Sequence, residues 1–390
     1  MVDRHEYGRS SVDQVMSKPR VAIVTSMPRN QRVEVYNEMA RLDEVDFKVF
    51  YLQRMAHGRL WKTGPKIEHD AVFVESKTIY RQLYLNPGFF RQFLRFDANL
   101  TIVTGYYAPA MQLAMYMASL RRRQWVFWAE MAFTRFSERR NVPNQKLGNI
   151  LRWAAMLSVR HLPSEIWAIG TRAQADYRHK VDASIPVRNL PYFADLDRFF
   201  AAGEKRQPSP RVRFLFSGSL IERKGADLVC SAIARLTEAN YDFEVHVAGV
   251  GSLQHLFDAL PPAAHQRVIM YGFLQLEQMA AIYAKADVLL FPSRHDGWGM
   301  TLGEGMAAAL APISTAQTGA AVDMIENGVS GIRLDELTLD SLESAMRFFL
   351  DQPDKIAPMG AAARKRAELH THRVGARTFI DTIKSSLSRD

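Results

Sequence analysis

From Val21 onward, short apolar runs of strand length alternate with stretches of helical period. In the first half the runs are Val21–Ser26, Phe47–Tyr51, Ala71–Glu75, Leu100–Gly105, Trp125–Met131 and Glu165–Gly170. Between them lie helix-period stretches such as Val33–Leu42, Pro109–Arg121 and Leu147–His161. Runs that are apolar throughout, rather than at every second position, predict parallel strands covered by helices on both faces. The polar segment Ala201–Arg211, with two prolines, breaks both periods and reads as a linker. The alternation then restarts with strand Val212–Ser217, helix Ala226–Leu236, strands Phe243–Ala248 and Arg267–Gly272, helix Glu277–Ala286 and strand Asp287–Pro292. Helix Thr301–Leu310 and strand Ala311–Ser314 follow.

The expected fold class is therefore α/β, with two doubly wound Rossmann-like domains facing each other across a cleft. Residues 1–19 read as a flexible tail, 20–200 as the first domain, 201–211 as the linker and 212–370 as the second domain. Residues 371–390 read as a C-terminal helix that could pack back on the first domain. Folds of this class bind ligands beyond the C-terminal ends of their strands, which puts the expected site in the cleft.

Composition narrows the class without naming a function. The chain has 390 residues, 47% hydrophobic and 23% charged, which suits two globular domains. Its one cysteine, Cys230, rules out an internal disulfide, fits a reducing compartment and reads as a small buried apolar residue. The polar start, Met1–Arg20, has no apolar core of a secretory signal. No window reaches the roughly 18 uninterrupted apolar residues of a membrane span. A cytoplasmic location is expected, with room for peripheral contact at the inner face of the cell membrane.

The net charge of +9 is uneven: residues 1–200 hold 30 Lys+Arg against 19 Asp+Glu, and the remainder 20 against 22. A basic first half beside a neutral second half points to an anionic substrate or surface facing the first. Nucleic acid is disfavoured, because neither zinc-finger spacing nor aromatic–basic interleaving is found.

The densest chemistry lies in Phe291-Pro-Ser-Arg-His-Asp-Gly-Trp-Gly-Met-Thr-Leu-Gly-Glu-Gly-Met306. A buried strand ends, a loop containing Gly297 and Gly299 follows, and a helix starts near Thr301. Glycines let backbone approach a ligand, and a helix N-terminus offers amides and partial positive charge to a diphosphate. Asp296 and Glu304, eight positions apart, could accept hydrogen bonds from vicinal hydroxyls of the transferred sugar and of a ribose. The structural alternatives are a capping box between Thr301 and Glu304, and a turn role for Asp296.

This segment resembles the acidic signature of retaining family-4 glycosyltransferases of the GT-B fold (glycosyl transferases group 1), two carboxylates separated by seven residues. Asp296 stands where Glu is commoner. The following Ala307–Ala316 and Thr318–Ile325 resemble the strand and glycine turn after the signature, with Gly319-Ala320 in place of paired glycines. Gly218-Ser-Leu-Ile-Glu-Arg-Lys-Gly225 is similar to the family loop whose lysine, here Lys224, holds the donor diphosphate. The family often has Arg where this chain has Ser219, which makes Arg223 the candidate for the missing charge.

The resemblance implies a donor site of Gly218, Ser219, Arg223, Lys224, Gly249, Tyr271, Phe273, Gly297, Gly299, Met300, Thr301, Leu302 and Glu304. Core packing is the competing reading of Phe273, and a solvated basic turn that of the lysine loop. Asp296, Arg223, Lys224 and Glu130 are the candidate catalytic residues. Arg29, Gly105, Tyr106 and Glu130 are the candidate acceptor side, with Glu130 where many relatives carry His.

Asp195-Leu-Asp197 spells the metal motif of transferases with another fold, but sits in a segment resembling the domain crossing of this one. No metal and no cofactor is expected, and no His/Cys cluster has metal-site spacing. The implied function is retaining transfer from a UDP- or GDP-sugar to an anionic, lipid-linked or saccharide acceptor in bacterial surface polysaccharide or lipopolysaccharide synthesis. Rival readings are an epimerase or a phosphorylase of the same architecture, or a non-catalytic sugar-nucleotide binder. Basic residues at Arg121–Arg123, Arg135, Arg139, Arg140, Lys146, Arg152 and Arg160 leave room for an anionic membrane. In helix Leu147–His161, Leu147, Ile150, Leu151, Ala154 and Leu157 read as core, widened by Trp153 and Met156.

Overall fold

A computed structural model describes residues 18–54, 66–80, 83–131 and 145–389. Except for Lys18 and Pro19, the tail lies outside the described residues. So do Arg135, Arg139 and Arg140, and the side chains of Lys146 and Arg152.

The first domain is a seven-stranded parallel sheet. Its strands are β1 (Arg20–Thr25), β2 (Asp46–Tyr51), β3 (Ala71–Phe73), β6 (Leu100–Val103), β7 (Gln124–Ala129), β8 (Glu165–Ala168) and β9 (Val187–Asn189), with a separate hairpin of β4 (Lys77–Tyr80) and β5 (Leu83–Leu85). Their order is β3-β2-β1-β6-β7-β8-β9. The second sheet uses β10 (Val212–Ser217), β11 (Phe243–Ala248), β12 (Val268–Gly272), β13 (Val288–Phe291), β14 (Ala311–Thr315) and β15 (Ile332–Leu334). It is ordered β12-β11-β10-β13-β14-β15, again parallel. In both sheets the order reverses beside the first strand, between β1 and β6 and between β10 and β13. That reversal opens a crevice at the strand C-termini.

Central strands such as β6, β8 and β13 are buried at every position, as their uninterrupted apolar runs require. Each domain has an apolar cluster on its outer face. A third cluster runs continuously from Val21 and Tyr36 through Tyr192 and Phe199 to Tyr283, Trp298 and Leu302, joining the two domains.

The chain crosses between domains at Ala194 and returns at Thr371. The Ala194 amide donates to the His370 carbonyl at 3.1 Å, and the His372 amide donates to the Ala194 carbonyl at 2.7 Å. The helix His372–Leu387 then lies against the first-domain helix Asn30–Leu42. Phe379 meets Trp128 edge-on at 4.8 Å and Trp167 at 6.1 Å.

Two expectations need correction. The linker does not begin at Ala201, because the helix Asp197–Glu204 includes the first four of its residues. Phe199 and Ala202 are buried, and Phe199 meets Tyr283 edge-on at 4.9 Å. Packing on the second domain thus overrides a polar composition that favours coil. In helix Gln145–His161 the side chains of Leu147, Ile150 and Leu151 lie outside the described residues; among those described, Ala155, Ser158 and Val159 are buried, while Leu157 is 44% and Trp153 67% exposed. Their burial turns the helix so that Leu157, read as core, faces outward.

Phe379 is buried in the C-terminal helix with Ala376, Ile380 and Ile383. Phe379→Ala is expected to cost about 3–5 kcal/mol, as for other buried aromatic truncations. Denaturant unfolding checks it, and a loss under 1 kcal/mol would show that the helix is not anchored there.

Candidate active site

The crevice holds a pocket of ≈ 410 Å³ lined from both domains. The second domain supplies Ser217, Gly218 and Ser219 after β10, Ala248 and Gly249 after β11, Phe273 and Leu274 after β12, and Met300, Thr301 and Glu304 from the signature helix. Asn30, Gln31 and Glu34 come from the first helix of the first domain, and Asp195, Arg198 and Phe199 from the crossing segment.

The signature helix begins at Met300, with Gly299 as its N-cap at φ +96°, a left-handed conformation that favours glycine. Thr301 is therefore inside the helix and no capping box forms. Glu304 instead accepts a 2.9 Å hydrogen bond from the Tyr283 hydroxyl. Burial raises the Glu304 carboxyl, opposed by that hydrogen bond and by the charges of Arg198 and Lys224. Leu302 is fully buried in the shared cluster and its amide donates to the Gly299 carbonyl, so its side chain faces away from the pocket.

Lys224 and Asp296, neither of which lines the pocket, form a close ion pair, with the lysine also 4.7 Å over the Phe291 ring. Arg223 lies 3.7 Å from the same carboxylate and donates to the His295 carbonyl at 2.8 Å. Arg223 does not line the pocket. The arginine that does is Arg198, on the crossing segment. Tyr271 is also withdrawn: its ring stacks on His246 and its hydroxyl meets His246 Nδ1 at 2.8 Å.

On the first-domain side, Glu130 follows β7 directly, and its carbonyl accepts from the Tyr177 hydroxyl at 2.7 Å. Its carboxylate reaches across the cleft to Gly297. A Cβ there would stand 1.8 Å from Glu130 Oε2, so only glycine allows the contact. Burial first, then the Asp296 charge, pushes the Glu130 carboxyl above the ordinary range. Gly105 and Tyr106 lie beyond β6, with Tyr106 packed on the first-domain cluster. Arg29 precedes the first helix and exposes its side chain.

Asp195 and Asp197 are drawn into the crossing. Asp197 pairs with Arg373 at 2.7 Å, and Asp195 lies 3.8 Å from Arg198. Among the described residues no group of three His, Cys, Asp or Glu is placed to hold a metal.

Glu34 and Arg198 carry no motif and were missed. Their signal is positional: Glu34 sits one helical turn inside the first helix, and Arg198 immediately follows the misleading Asp195-Leu-Asp197. Glu34 accepts from the Asp195 amide at 3.1 Å, and burial pushes its carboxyl up to about 7.

Residues 197–366 match the family model of glycosyl transferases group 1. The chain is 26% identical over 196 residues to the GDP-mannose-dependent monoacylated alpha-(1-6)-phosphatidylinositol monomannoside mannosyltransferase of Corynebacterium glutamicum, covering 46% of this chain and 51% of that protein. The chain thus spans about half the length of the curated relatives it matches. Among solved structures, sucrose-phosphate synthase from Thermosynechococcus elongatus superimposes with a TM-score of 0.72 at 15% identity, over 96% of this chain and 100% of that one. Alr3699/HepE of Anabaena in complex with UDP-glucose gives 0.68 at 14% identity, over 94% and 99%. The two-sheet architecture is the GT-B fold expected from the sequence.

A carboxyl raised on folding binds its proton more tightly in the folded chain. Its contribution to stability therefore declines as pH climbs from the unfolded value, 4.5, towards about 7 for Glu34. Glu34→Gln keeps an acceptor for the Asp195 amide and removes the titration. The melting temperature of this variant is expected to exceed that of the parent at pH 8 and to match it near pH 5. An equal gap at both values would refute the assignment.

Proposed function

We propose that the chain, whose residues 197–366 match the family model of glycosyl transferases group 1, transfers a sugar, with retention, from a UDP- or GDP-sugar to a lipid-linked or saccharide acceptor in bacterial surface polysaccharide or lipopolysaccharide synthesis. The observation that supports this reading is the convergence of Glu304, the loops at Gly218 and Gly249 and the start of the signature helix on one pocket, with the charge of Lys224 acting on Glu304. The UDP-glucose held by Alr3699/HepE on a similar fold supports a nucleotide-sugar donor.

On this reading Glu304 accepts from the ribose hydroxyls, and Phe273 and Leu274 pack near the base. Asp296 accepts from hydroxyls of the transferred sugar. Lys224, Arg223 and the amides of the signature helix stabilise charge on the departing diphosphate, in place of a metal. The bond from the anomeric carbon to the diphosphate oxygen breaks, and a bond to the acceptor oxygen forms on the same face. The acceptor proton leaves with the diphosphate.

The acceptor reading extends to an anionic membrane. Leu113, Tyr116 and Leu120 on helix Pro109–Leu120, and Trp153 and Leu157 on helix Gln145–His161, are exposed, and Ser158 donates to Tyr116 between the two helices at 2.9 Å. These apolar side chains are exposed beside Arg121, Arg122, Arg123 and Arg160, the pairing of apolar and basic groups that suits a bilayer surface. No helix of the described residues is long and apolar enough to cross a membrane.

The donor site is tested by Glu304→Gln, which keeps an acceptor for Tyr283 but loses the charge and one acceptor site. A hydrogen bond to a charged group contributes about 1.5–3 kcal/mol. Turnover per donor concentration is expected to fall roughly ten- to a hundredfold, with the melting temperature hardly moved. A stable, fully active variant across a panel of UDP- and GDP-sugars would remove Glu304 from the site.

For the membrane face, the chain is expected to co-sediment with vesicles containing phosphatidylglycerol and not with phosphatidylcholine alone. Replacing Trp153 and Leu157 together by Glu should abolish this while leaving the fold intact. Undiminished binding of the double variant would locate the contact elsewhere.

A further inference from the structure

Helix Thr171–Arg178 of the first domain has no cap of its own, because Gly170 stands at its N-cap position and offers no side chain. The cap comes from the other domain. Asp323, on the short helix Gly319–Met324, accepts from the Thr171 amide at 3.0 Å and from Asn189 Nδ2 at 3.2 Å. A carboxylate placed there meets a free amide and the positive end of the helix dipole together. One residue further on, Arg172 donates to Gln317 Oε1 at 2.9 Å. The first domain therefore grips the segment 317–323 of the second domain at both ends.

The middle of that segment holds the acidic signature loop. The Asp296 amide donates to the Gln317 carbonyl at 3.2 Å, and the Gly319 amide returns to the Asp296 carbonyl at 3.2 Å. The Ala320 amide donates to the Trp298 carbonyl at 2.8 Å. Trp298, 3% exposed, lays its ring on Gly170, where a Cβ would stand 3.0 Å from Cζ3. The Gly170 amide in turn donates to Asn189 Oδ1 at 3.1 Å. The loop, the segment after it and the first-domain turn form one hydrogen-bonded unit.

We infer that Asp323 and Arg172 are positioning residues for Asp296, so that the first domain, docked through them, sets the loop that carries this carboxylate. The inference rests on the glycosyl-transfer reading above, in which Asp296 accepts from hydroxyls of the transferred sugar. Neither positioning residue lines the pocket formed by Glu304 and the loops at Gly218 and Gly249. Their effect therefore falls on the sugar end of the donor and leaves the nucleotide end in place. Misplacement by about 1 Å at a reacting centre can lower a rate by about a hundredfold.

Thr171→Pro tests the grip from the first-domain side. Thr171 is the first residue of its helix, where proline is tolerated, so the backbone keeps its course and loses the amide to Asp323. The hydroxyl that accepts from Asn189 is lost as well, and Thr171→Ala, which loses only that, is the reference. Relative to it, amide hydrogen exchange over 294–300 and 317–322 is expected to quicken by about tenfold or more, while strand Val288–Phe291 keeps its rate. kcat should fall about tenfold while the dissociation constant of UDP or GDP, measured by calorimetry, stays within about twofold. Asp323→Ala should do the same, and the double variant should be no worse than either single one. Unchanged exchange in the loop would overturn the inference, as would a quickened loop with undiminished kcat. Exchange quickened equally in Val288–Phe291, with weakened nucleotide binding, would reduce the contact to a structural one and overturn it too. A quickened loop in a chain that transfers no sugar would retain the grip on Asp296 and refute the transferase reading.

Discussion

Two backbone hydrogen bonds at Ala194 hold the outward and returning crossings side by side, and the cleft takes its geometry from them. A single crossing would leave a hinge about one strand of chain, with the domain angle set only by surface contacts. With the second crossing bonded to the first, and Phe379 locked between Trp128 and Trp167, the angle is set at the pivot. The apolar cluster through Tyr192, Phe199, Tyr283 and Trp298 fills the space immediately around it. Beside it polar contacts also join the domains, where Asp323 accepts from the Thr171 amide at 3.0 Å and Gln317 accepts from Arg172 at 2.9 Å.

That geometry explains why so many raised carboxyls share one small region. Glu34, Glu130 and Glu304 come from three separate elements and are each raised first by burial. Arg198, Lys224 and Arg32 oppose this from the crossing, the second domain and the first-domain core. Groups of both signs held in a partly dry crevice interact more strongly than on the surface. Such clustering marks ligand sites more often than structural ones.

The fold was legible in the sequence because parallel strands buried on both faces are written as continuous apolar runs. Strands such as Val212–Ser217 and Phe243–Ala248 match their observed bounds to the residue. Of the three-residue edge strands, Ala71–Phe73 was legible inside the apolar run Ala71–Glu75, while Val187–Asn189 and Ile332–Leu334 were not, since they sit in no longer apolar run. Helix Asp197–Glu204 was lost to its polar composition and exists through Phe199 on Tyr283. In the signature segment, Asp296, Gly297 and Glu304 stood out through the glycine loop that unites them, and of these Glu304 lines the pocket. Glu34 and Arg198 did not stand out, because they meet the site only through the domain crossing. No spacing along the chain encodes that meeting.

Two departures from the family pattern, noted at distant positions, meet in space. Asp296 stands where glutamate is commoner, and Glu130 where histidine is. The shorter side chain at 296 draws its carboxylate back by one methylene onto Lys224, with which it forms a close ion pair. Glu130 reaches the adjacent Gly297 from the other domain, at a distance no larger residue would permit. Two carboxylates so near each other are tolerated only with positive charge on both sides, and the structure supplies it: Lys224 and Arg223 behind Asp296, Arg32 and Arg29 behind Glu130. Restoring glutamate at 296 would extend one anion towards the other with no further cation to meet it. The two positions therefore constrain each other, and the acidic signature of this chain is a feature of both domains rather than of one loop.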